Sequence, residues 1–350
     1  MDERNNILKI AELIASGAKN QEILDIAQNN QSEIEREINF LSESRAEVIE
    51  ILRIIFPNNI LINYDFFDKL SDLQYALSFK PISYKLCGIL LSEAYKLLSN
   101  HDAQKLLQLL IDDKGNKIWH VIQALPYFLS EIELPPEFAS YWFYSLAKRI
   151  RGDLAGGGLF QAIESYAFNF PISGLKVFER YLSEDLDEIR LHLSAIILGA
   201  LRSCSETGHI QKQAIDQWDA KLISSPRTEL RLCYHRSWVI PFWRGLITID
   251  QLESKLTAMI EGSQEEIAEA FSVLHRCLLS NLKNENFVCF SLSWFNKNAS
   301  NKIPDLAKYY IAHSITDSMS SKKFALSSRC LVITTGSLCM NSASTKACPG

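Results

Sequence analysis

Several short patterns in this chain bring together side chains that could bind a metal ion. Cysteine and histidine, the side chains that bind zinc most often, form three close pairs: Cys204 with His209, Cys233 with His235, and His275 with Cys277. Residues two apart on a helix point about 200° apart, so neither of the two closer pairs can share one ion. The remaining pair straddles a glycine turn and has no carboxylate beside it. We therefore predict no metal site.

Two further patterns could transfer a proton or bind an anion. Glu188 and His192 stand four residues apart, which places an acid and a base on one helix face. On a charged helix such a pair is usually a surface ion pair. The glycines at 156–158 precede a predicted helix, but the Lys-Ser/Thr of a phosphate loop does not follow them, so they are predicted to form a flexible turn. The sequence thus shows no catalytic residue and no cofactor site, and we expect a protein that is not an enzyme.

Aromatic and arginine side chains are concentrated in two segments. The four aromatic residues at 141–144 are consecutive, so they point around the whole helix and one neighbour cannot bury them all. The second segment contains Trp218, Trp238, Trp243, Arg227, Arg231, Arg236 and Arg244. Trp, Tyr and Arg are the side chains that most often anchor interfaces, although ordinary packing between helices would also explain the tryptophans. The candidate partner-binding residues are Trp238, Trp243, Arg231, Arg236, Trp142 and Tyr144.

The elements that must position these residues are predicted to be helices. Apolar residues recur at steps of three and four almost everywhere before residue 320, and prolines stand near the predicted helix ends. Ser263 and Glu266 have the spacing of a capping box. We predict an all-α fold with N-terminal helices over 1–60 and a helical body over 61–319. Residues 320–350 are rich in Ser, Thr and Cys and are predicted to form a disordered or poorly folded tail.

One predicted helix, residues 31–56, is longer than the others and has the alternating four- and three-residue spacing of a coiled coil. The residues at this spacing are Ile34, Ile38, Leu41, Arg45, Val48, Leu52 and Ile55. Arg45 is the polar member of the series. The pattern predicts a long amphipathic helix that closes the N-terminal end of the helical body. The alternative is a homodimer through helix 31–56, in which Arg45 sets the register.

A four-residue motif recurs along the chain. It reads Asp-Glu-Ile-Arg at 187–190, Thr-Glu-Leu-Arg at 228–231 and Glu-Glu-Ile-Ala at 265–268, at intervals of 41 and 37 residues. A period near 40 residues indicates stacked helix pairs. The glutamate of each copy falls in the first turn of a predicted helix, where the helix dipole favours a carboxylate. Arg190 and Arg231 are predicted to tie neighbouring turns or repeats together through acidic groups.

The longer stretch from Asp185 to Leu198 resembles the second-helix signature of HEAT repeats, in which an acidic turn leads into Glu-Val-Arg and then small residues. The copy at 226–231 has Pro226 in place of the acid, and the copy at 263–268 lacks the arginine. The resemblance covers about residues 155–300. It implies an α-solenoid of stacked antiparallel helix pairs that binds proteins or, less often, nucleic acid along a concave face. The family shares no catalytic residues.

Composition limits the compartment and the partners that we expect. The net charge is −5, and the acidic excess lies in residues 1–60. The most apolar uncharged stretch, 191–201, is shorter than the ~20 residues of a membrane span, and the N-terminus lacks the pattern of a secretory signal. Five of the eight cysteines lie in helical patterns and are expected to be reduced. These features predict a cytoplasmic location and no membrane contact.

The predicted function is therefore a non-enzymatic scaffold or sensor module that binds a protein partner on a concave solenoid face. The alternative is a nucleic-acid-binding protein that resembles HEAT-like DNA glycosylases, with Trp218 and Asp219 beside the arginine cluster. Nucleic-acid binding requires a surplus of Lys and Arg to neutralise phosphates. Residues 148–245 contain 13 Lys and Arg against 11 Asp and Glu, so the alternative is disfavoured.

Overall fold

The computed structural model describes residues 5–18, 20–57, 64–77, 82–112, 121–150, 156–206 and 212–299. These residues form helices and no strands, which confirms the predicted all-α fold. The chain divides into two compact units, unit 1 at residues 1–193 and unit 2 at residues 194–350. None of the described helices is both long and apolar enough to cross a membrane. The predicted tail, residues 320–350, lies outside the described residues.

Unit 1 contains helices α1 to α11 and the first turn of α12. Their bounds are α1 Asn6–Ser16, α2 Asn20–Asn29, α3 Gln31–Leu41, α4 Arg45–Ile55, α5 Tyr64–Leu77, α6 Ile82–Leu97, α7 Asn100–Asp112, α8 Leu125–Leu129, α9 Pro136–Ile150, α10 Gly156–Asn169, α11 Pro171–Ser183 and α12 Glu188–Glu206. Helix α1 packs against each of α2 to α5. Helix α6 packs against α3, α4 and α5, and among α6 to α11 the main contacts join helices one or two positions apart in this numbering. The predicted glycine turn at 156–158 is instead the start of α10.

The predicted long helix over residues 31–56 is wrong. The segment forms two helices, α3 and α4, which Ser42, Glu43 and Ser44 separate. The apolar residues of the coiled-coil pattern are buried, because both helices fold against α1 and α6. Arg45, the predicted register residue, donates from Nε to Glu93 Oε2 at 2.6 Å in the same chain. The apolar series is thus part of the core of unit 1 and is not available as the surface of a homodimer.

Helices α6 and α8 approach closely at Gly88. A Cβ atom at this position would lie 2.5 Å from Tyr127 Cβ and 2.9 Å from the Ala124 carbonyl oxygen. We expect Gly88→Ala to lower the free energy of unfolding by about 1–3 kcal/mol, because overpacking forces the two helices apart. The gain in helix propensity, at most about 1 kcal/mol, offsets only part of the overpacking cost, because contacts at 2.5 and 2.9 Å to a Cβ atom and to backbone place that cost at the upper end of its range or above. Urea unfolding followed by circular dichroism would measure the difference.

Gly158 in α10 provides a matched control for this variant. The three atoms nearest to a Cβ atom there all belong to the end of the flexible side chain of Gln123, at 3.1 Å. Because that side chain can move, Gly158→Ala should leave the free energy of unfolding unchanged or raise it slightly. If both variants lose the same free energy of unfolding, tight packing at Gly88 is not the cause of the destabilisation.

Unit 2 contains the rest of α12 and six further helices. Their bounds are α13 Lys212–Ile223, α14 Thr228–Arg236, α15 Val239–Trp243, α16 Ile249–Ile260, α17 Gln264–Ser280 and α18 Glu285–Ala299. Helix α17 lies at the centre of the unit and packs against α14, α15, α16 and α18. Its buried apolar residues, among them Ile267, Phe271 and Leu274, recur at steps of three and four. The predicted capping box of Ser263 and Glu266 at its N-terminus is confirmed.

Candidate functional site

Two of the predicted partner-binding residues, Arg231 and Arg236, bind carboxylates inside unit 2. Arg231 Nε donates to Glu266 Oε1 at 3.0 Å, and Arg236 donates to both carboxylate oxygens of Glu269 at 2.9 and 2.6 Å. These ion pairs join α14 to α17. Glu266 belongs to the third copy of the four-residue motif and Arg231 to the second, so the predicted tie from Arg231 is confirmed. Because both guanidinium groups are engaged in this way, the structure does not favour either as an anchor for a partner.

Glu266 is the most heavily bonded carboxylate of this contact. Besides Arg231 it accepts from the Ser263 amide at 2.9 Å and lies 3.3 Å from His235 Nε2. Burial alone would raise the pKa of Glu266, but the hydrogen bonds from Arg231, Ser263 and His235 lower it to about 2. Burial lowers the pKa of His235, although contact with Glu266 offsets part of this effect. The carboxylate is therefore ionised throughout the physiological pH range.

The two predicted partner-binding residues of unit 1, Trp142 and Tyr144, have different surroundings from Arg231 and Arg236. Trp142 is completely buried and its Nε1 donates to the Leu107 carbonyl at 2.9 Å, so its side chain is not exposed for contact with a partner. Tyr144 is partly exposed and its hydroxyl donates to Asp187 Oδ2 at 2.7 Å. The guanidinium of Arg190 lies 4.0 Å from the Tyr144 ring. Arg190 Nη2 also forms an ion pair with Glu184 Oε2 at 3.0 Å, so the predicted contact of this arginine with an acidic group is confirmed, beside its cation–π contact within unit 1.

A cluster of charged and aromatic side chains surrounds Trp238 in unit 2. Arg202 of α12 forms a two-pronged ion pair with Asp219 of α13, and its Nε donates to Ser237 Oγ at 3.0 Å. The same guanidinium lies 4.0 Å from the Trp238 ring, and Lys255 Nζ of α16 lies 3.4 Å from that ring. Helices α12, α13 and α16 therefore converge on the turn between α14 and α15.

Gly199 allows α12 to pack closely against the turn between α14 and α15. A Cβ atom at Gly199 would lie 2.6 Å from the Ser237 carbonyl oxygen and 3.0 Å from Ile240 Cβ. Only glycine permits so close an approach of the two backbones. Arg202 follows three residues later on the same helix face, which directs its side chain towards Ser237 and Trp238.

Lys255 is the second cation of the cluster. Its side chain is partly buried, and within the described part of the chain it forms no ion pair. Burial lowers the pKa of Lys255 to about 8, and the charge of Arg202 lowers it further than Asp219 raises it. The cluster thus contains two cations close to one aromatic ring and one carboxylate in direct contact with a cation.

A cavity of about 130 Å³ opens beside this cluster. Its lining residues are Arg202, Ser205, Lys212, Ile215, Asp216, Asp219, Trp238, Pro241, Leu246 and Ile247. Two cations and two carboxylates give the lining no net charge, and four aliphatic residues give it an apolar wall. The Nε1 of Trp238 is buried. Burial raises the pKa of Tyr234, one turn earlier on α14, and a hydrogen bond with the Trp238 side chain offsets part of this rise.

Three large apolar side chains of unit 2 are exposed, and one of them, Leu246, also lines the cavity. Trp243 at the end of α15 is 47% exposed, and its Nε1 donates to the Arg276 carbonyl of α17 at 3.3 Å. Leu279, 42% exposed, lies one turn beyond Arg276 on the same face of α17. Gly245 adopts φ +70°, which lets the chain turn after α15 and brings Leu246 to the surface. We name Trp243, Leu246 and Leu279 the Trp243 patch, and Leu246 belongs to both the patch and the cavity.

The predicted metal and proton-transfer patterns have other surroundings. Among the described residues, no three His, Cys, Asp or Glu side chains are grouped as metal ligands would be. His209 lies outside those residues, and His192 packs its ring 4.4 Å from that of Phe160. Burial raises the pKa of the thiols of Cys87 and Cys233 to about 12.

The prediction that five cysteines are reduced holds only in part. The four that remain free thiols are Cys87, Cys204, Cys233 and Cys277, and all are buried. Cys289 is disulfide-bonded, so the prediction is wrong for that residue.

The structure thus places Trp238 at the cavity and leaves Trp243 exposed, but the predicted arginines form ion pairs within unit 2. Sequence analysis missed Arg202 and Lys255. The available signal for Arg202 was its position directly after the uncharged apolar stretch at 191–201, where a helix is buried on most sides. No comparable pattern marks Lys255.

Comparisons with protein-family models, with curated proteins and with solved structures found nothing that matches this chain. A function must therefore be inferred from the chemistry of the site itself.

Proposed function

We propose that the chain is a non-enzymatic α-solenoid, HEAT-like over about residues 155–300, that binds a protein partner through unit 2. The observation that carries this proposal is the Trp243 patch, a group of exposed large apolar side chains, one of which, Leu246, lines a cavity. Exposed apolar side chains that cluster in this way are typical of interaction sites. Tryptophan is also among the residues that most often dominate the binding energy of an interface.

The packing within unit 2 supports the solenoid part of the proposal. Helix α17 packs on α16 and α18, its neighbours in the chain, and on α14, the helix that carries the preceding copy of the motif. The pair of Arg231 and Glu266 joins these two motif copies. Contacts restricted to neighbouring repeats are what a solenoid requires. In such a protein, binding occurs along an extended face, which we propose includes the Trp243 patch.

The charges around the site favour protein over nucleic acid as the partner. Arg202, Arg231 and Arg236 are each paired with a carboxylate, and the cavity lining has no net charge. A phosphate backbone requires cations that are not already neutralised. Asp219, which a glycosylase-like mechanism would use, is held in the ion pair with Arg202. This leaves no free carboxylate at Asp219 to act on a bound base.

A photo-crosslinking experiment in the native cell tests the proposal. A benzophenone amino acid at Trp243 should crosslink one defined protein, and an excess of wild-type chain should abolish the crosslink. Purified Trp243→Ala should compete at least about 30-fold less well, which corresponds to about 2 kcal/mol for the loss of a central tryptophan. Because Trp243 is half exposed, thermal unfolding should confirm that the variant remains folded.

Phe40 in unit 1, which is 55% exposed, is the matched control for an exposed aromatic side chain. A benzophenone at Phe40 should not give the same crosslink. Equal competition by wild type and Trp243→Ala would contradict the proposal. So would tight binding of duplex DNA in a filter assay whose affinity falls steeply between two salt concentrations, because that result indicates contact with several phosphates.

A further inference from the structure

Lys255 of α16 shares one aromatic ring with a second cation. Its Nζ lies 3.4 Å from the Trp238 ring, and the guanidinium of Arg202 lies 4.0 Å from the same ring. The ring attracts both cations, but two cations held so close repel each other. An arginine keeps its proton at every pH that a protein meets, whereas a lysine can lose its proton. The repulsion therefore favours the uncharged amine of Lys255.

The carboxylate nearest to this pair does not compensate Lys255. Within the described part of the chain Lys255 forms no ion pair, and both oxygens of Asp219 bind Arg202. Burial, then the charge of Arg202, lowers the pKa of Lys255 to about 8, and Asp219 raises it by less. Roughly a fifth of such an amine is uncharged at pH 7.4, against about one part in a thousand at the ordinary lysine pKa of about 10.4.

An uncharged lysine amine is a nucleophile. Lysines are activated in this way by desolvation or by a neighbouring cation, and Lys255 has both. Its side chain is only partly buried, so a reagent in solution can reach it. Lys221 of α13 provides a contrast, because its Nζ lies 4.2 Å from the Trp218 ring but the residue is exposed. Contact with an indole is thus common to both lysines, and partial burial beside Arg202 distinguishes Lys255.

From this arrangement we infer that Lys255 is a modification site that accepts an acyl group from an acyl thioester. Thioesters carry acyl groups in cells, and their thiol leaves readily because its pKa is about 8.5. The uncharged Nζ adds to the carbonyl carbon and forms the C–N bond, and the C–S bond then breaks. The nitrogen loses one proton and the departing sulfur takes one up. The products are an amide and a thiol, so the reaction requires no oxidant or reductant.

The product suits the site, because an amide is uncharged and removes the repulsion from Arg202. The inference concerns the amine of Lys255 alone. It does not depend on the protein-binding proposal, and either can fail without the other.

Acetylation of the full chain by S-ethyl thioacetate tests the inference at single lysines. Cleavage after Glu253 and Glu261 leaves Lys255 as the one lysine of its peptide, so mass spectrometry can follow it separately. The rate at Lys255 should rise with pH and level off near pH 8, where the amine is largely uncharged. The rate at Lys221 should continue to rise beyond that pH. At pH 7.5 it should be at least about fivefold lower, because an exposed amine is almost completely protonated there.

Two results would overturn the inference. One is an acetylation rate at Lys255 no higher than that at Lys221 at pH 7.5. The other is a rate at Lys255 that still rises steeply above pH 9, because the amine would then titrate as an ordinary lysine does. Lys255→Arg should remove the modified peptide and so confirm its assignment.

A paired replacement tests the part that Arg202 plays. Arg202→Met combined with Asp219→Leu removes the neighbouring cation without leaving an unpaired charge. In this variant the pH at which acetylation of Lys255 levels off should be higher than in the wild type, and the rate at pH 7.5 should be lower. An unchanged profile in a variant that circular dichroism shows to be folded would contradict the activation of Lys255 by Arg202. The wild-type profile tests the site itself even if the variant does not fold.

Discussion

Replacing Glu266 by alanine is expected to lower the free energy of unfolding by about 3–5 kcal/mol, because removal of one member of a buried ion pair leaves the other charge uncompensated. Arg231 would lose its carboxylate, and His235 its partner at 3.3 Å. The N-terminus of α17 would also lose half of its capping box with Ser263. Since single domains are stable by only about 5–15 kcal/mol, this one change should remove a large fraction of the stability. Urea unfolding of both proteins at pH 7 would measure it.

The adjacent glutamate provides a control in the same turn of the same helix. Glu265 is fully exposed, so Glu265→Ala should change the urea midpoint far less than Glu266→Ala does. Similar losses for the two variants would show that the first turn of α17, and not the buried contact with Arg231, determines the stability.

The acid sensitivity of the protein should depend on the same residue. The pKa of Glu266 in the folded protein, about 2, lies below the ordinary value of 4.5. A carboxylate whose pKa is lowered by folding contributes stability above its unfolded pKa, and this contribution is lost as the pH falls towards the folded pKa. The free energy of unfolding should therefore fall between pH 4.5 and 2, and less steeply in Glu266→Gln. Parallel pH profiles for the two proteins would contradict this assignment.

The helical fold could be predicted from the sequence because it depends on local patterns. The three- and four-residue spacing of apolar residues in α17 is visible without a structure, as is the capping box of Ser263 and Glu266. The break between α3 and α4 could not be predicted in the same way. The apolar series continues across Ser42 to Ser44 at coiled-coil spacing, so periodicity alone does not distinguish one long helix from two that fold back on α1.

The candidate site was predictable only in its residue types. Tryptophan and arginine near residues 231–243 suggested an interaction surface; Trp238 lines a cavity, and Trp243 is 47% exposed at the end of α15. The pairing of the arginines could not be predicted, because Glu269 lies 33 residues from Arg236 in the chain and meets it only when α14 packs on α17. Trp142 has the same composition signal as Trp243 but faces the core of unit 1. Which face of a helix is covered depends on its neighbours in space.

The second large effect is expected at Asp219. Asp219→Asn should lower the free energy of unfolding by about 3–5 kcal/mol, because Arg202 would be left nearly fully buried without a carboxylate. Its guanidinium would then lie beside Lys255 on the Trp238 ring with no opposite charge in contact. Replacing both members of the pair, as Arg202→Met with Asp219→Leu, should restore most of the loss, since no unpaired charge remains in a well-packed apolar site. If the double variant is less stable than Asp219→Asn, the unpaired charge of Arg202 is not the main cause of the loss, and the attraction between Arg202 and Asp219 itself stabilises the fold.

The pKa of Lys255 provides a second test of the Arg202 and Asp219 pair that does not depend on measuring stability. Burial, then the charge of Arg202, lowers its pKa, and Asp219 raises it by a smaller amount. The pKa of Lys255 should therefore be highest in Arg202→Met, intermediate in the double variant, near 8 in the wild type and lowest in Asp219→Asn. Titration of ¹³Cε-labelled lysine by NMR, with the Lys255 resonance assigned by Lys255→Arg, measures this order. A pKa that is the same in all four proteins would mean that Lys255 does not sense Arg202, and that the Trp238 ring separates the two cations electrostatically.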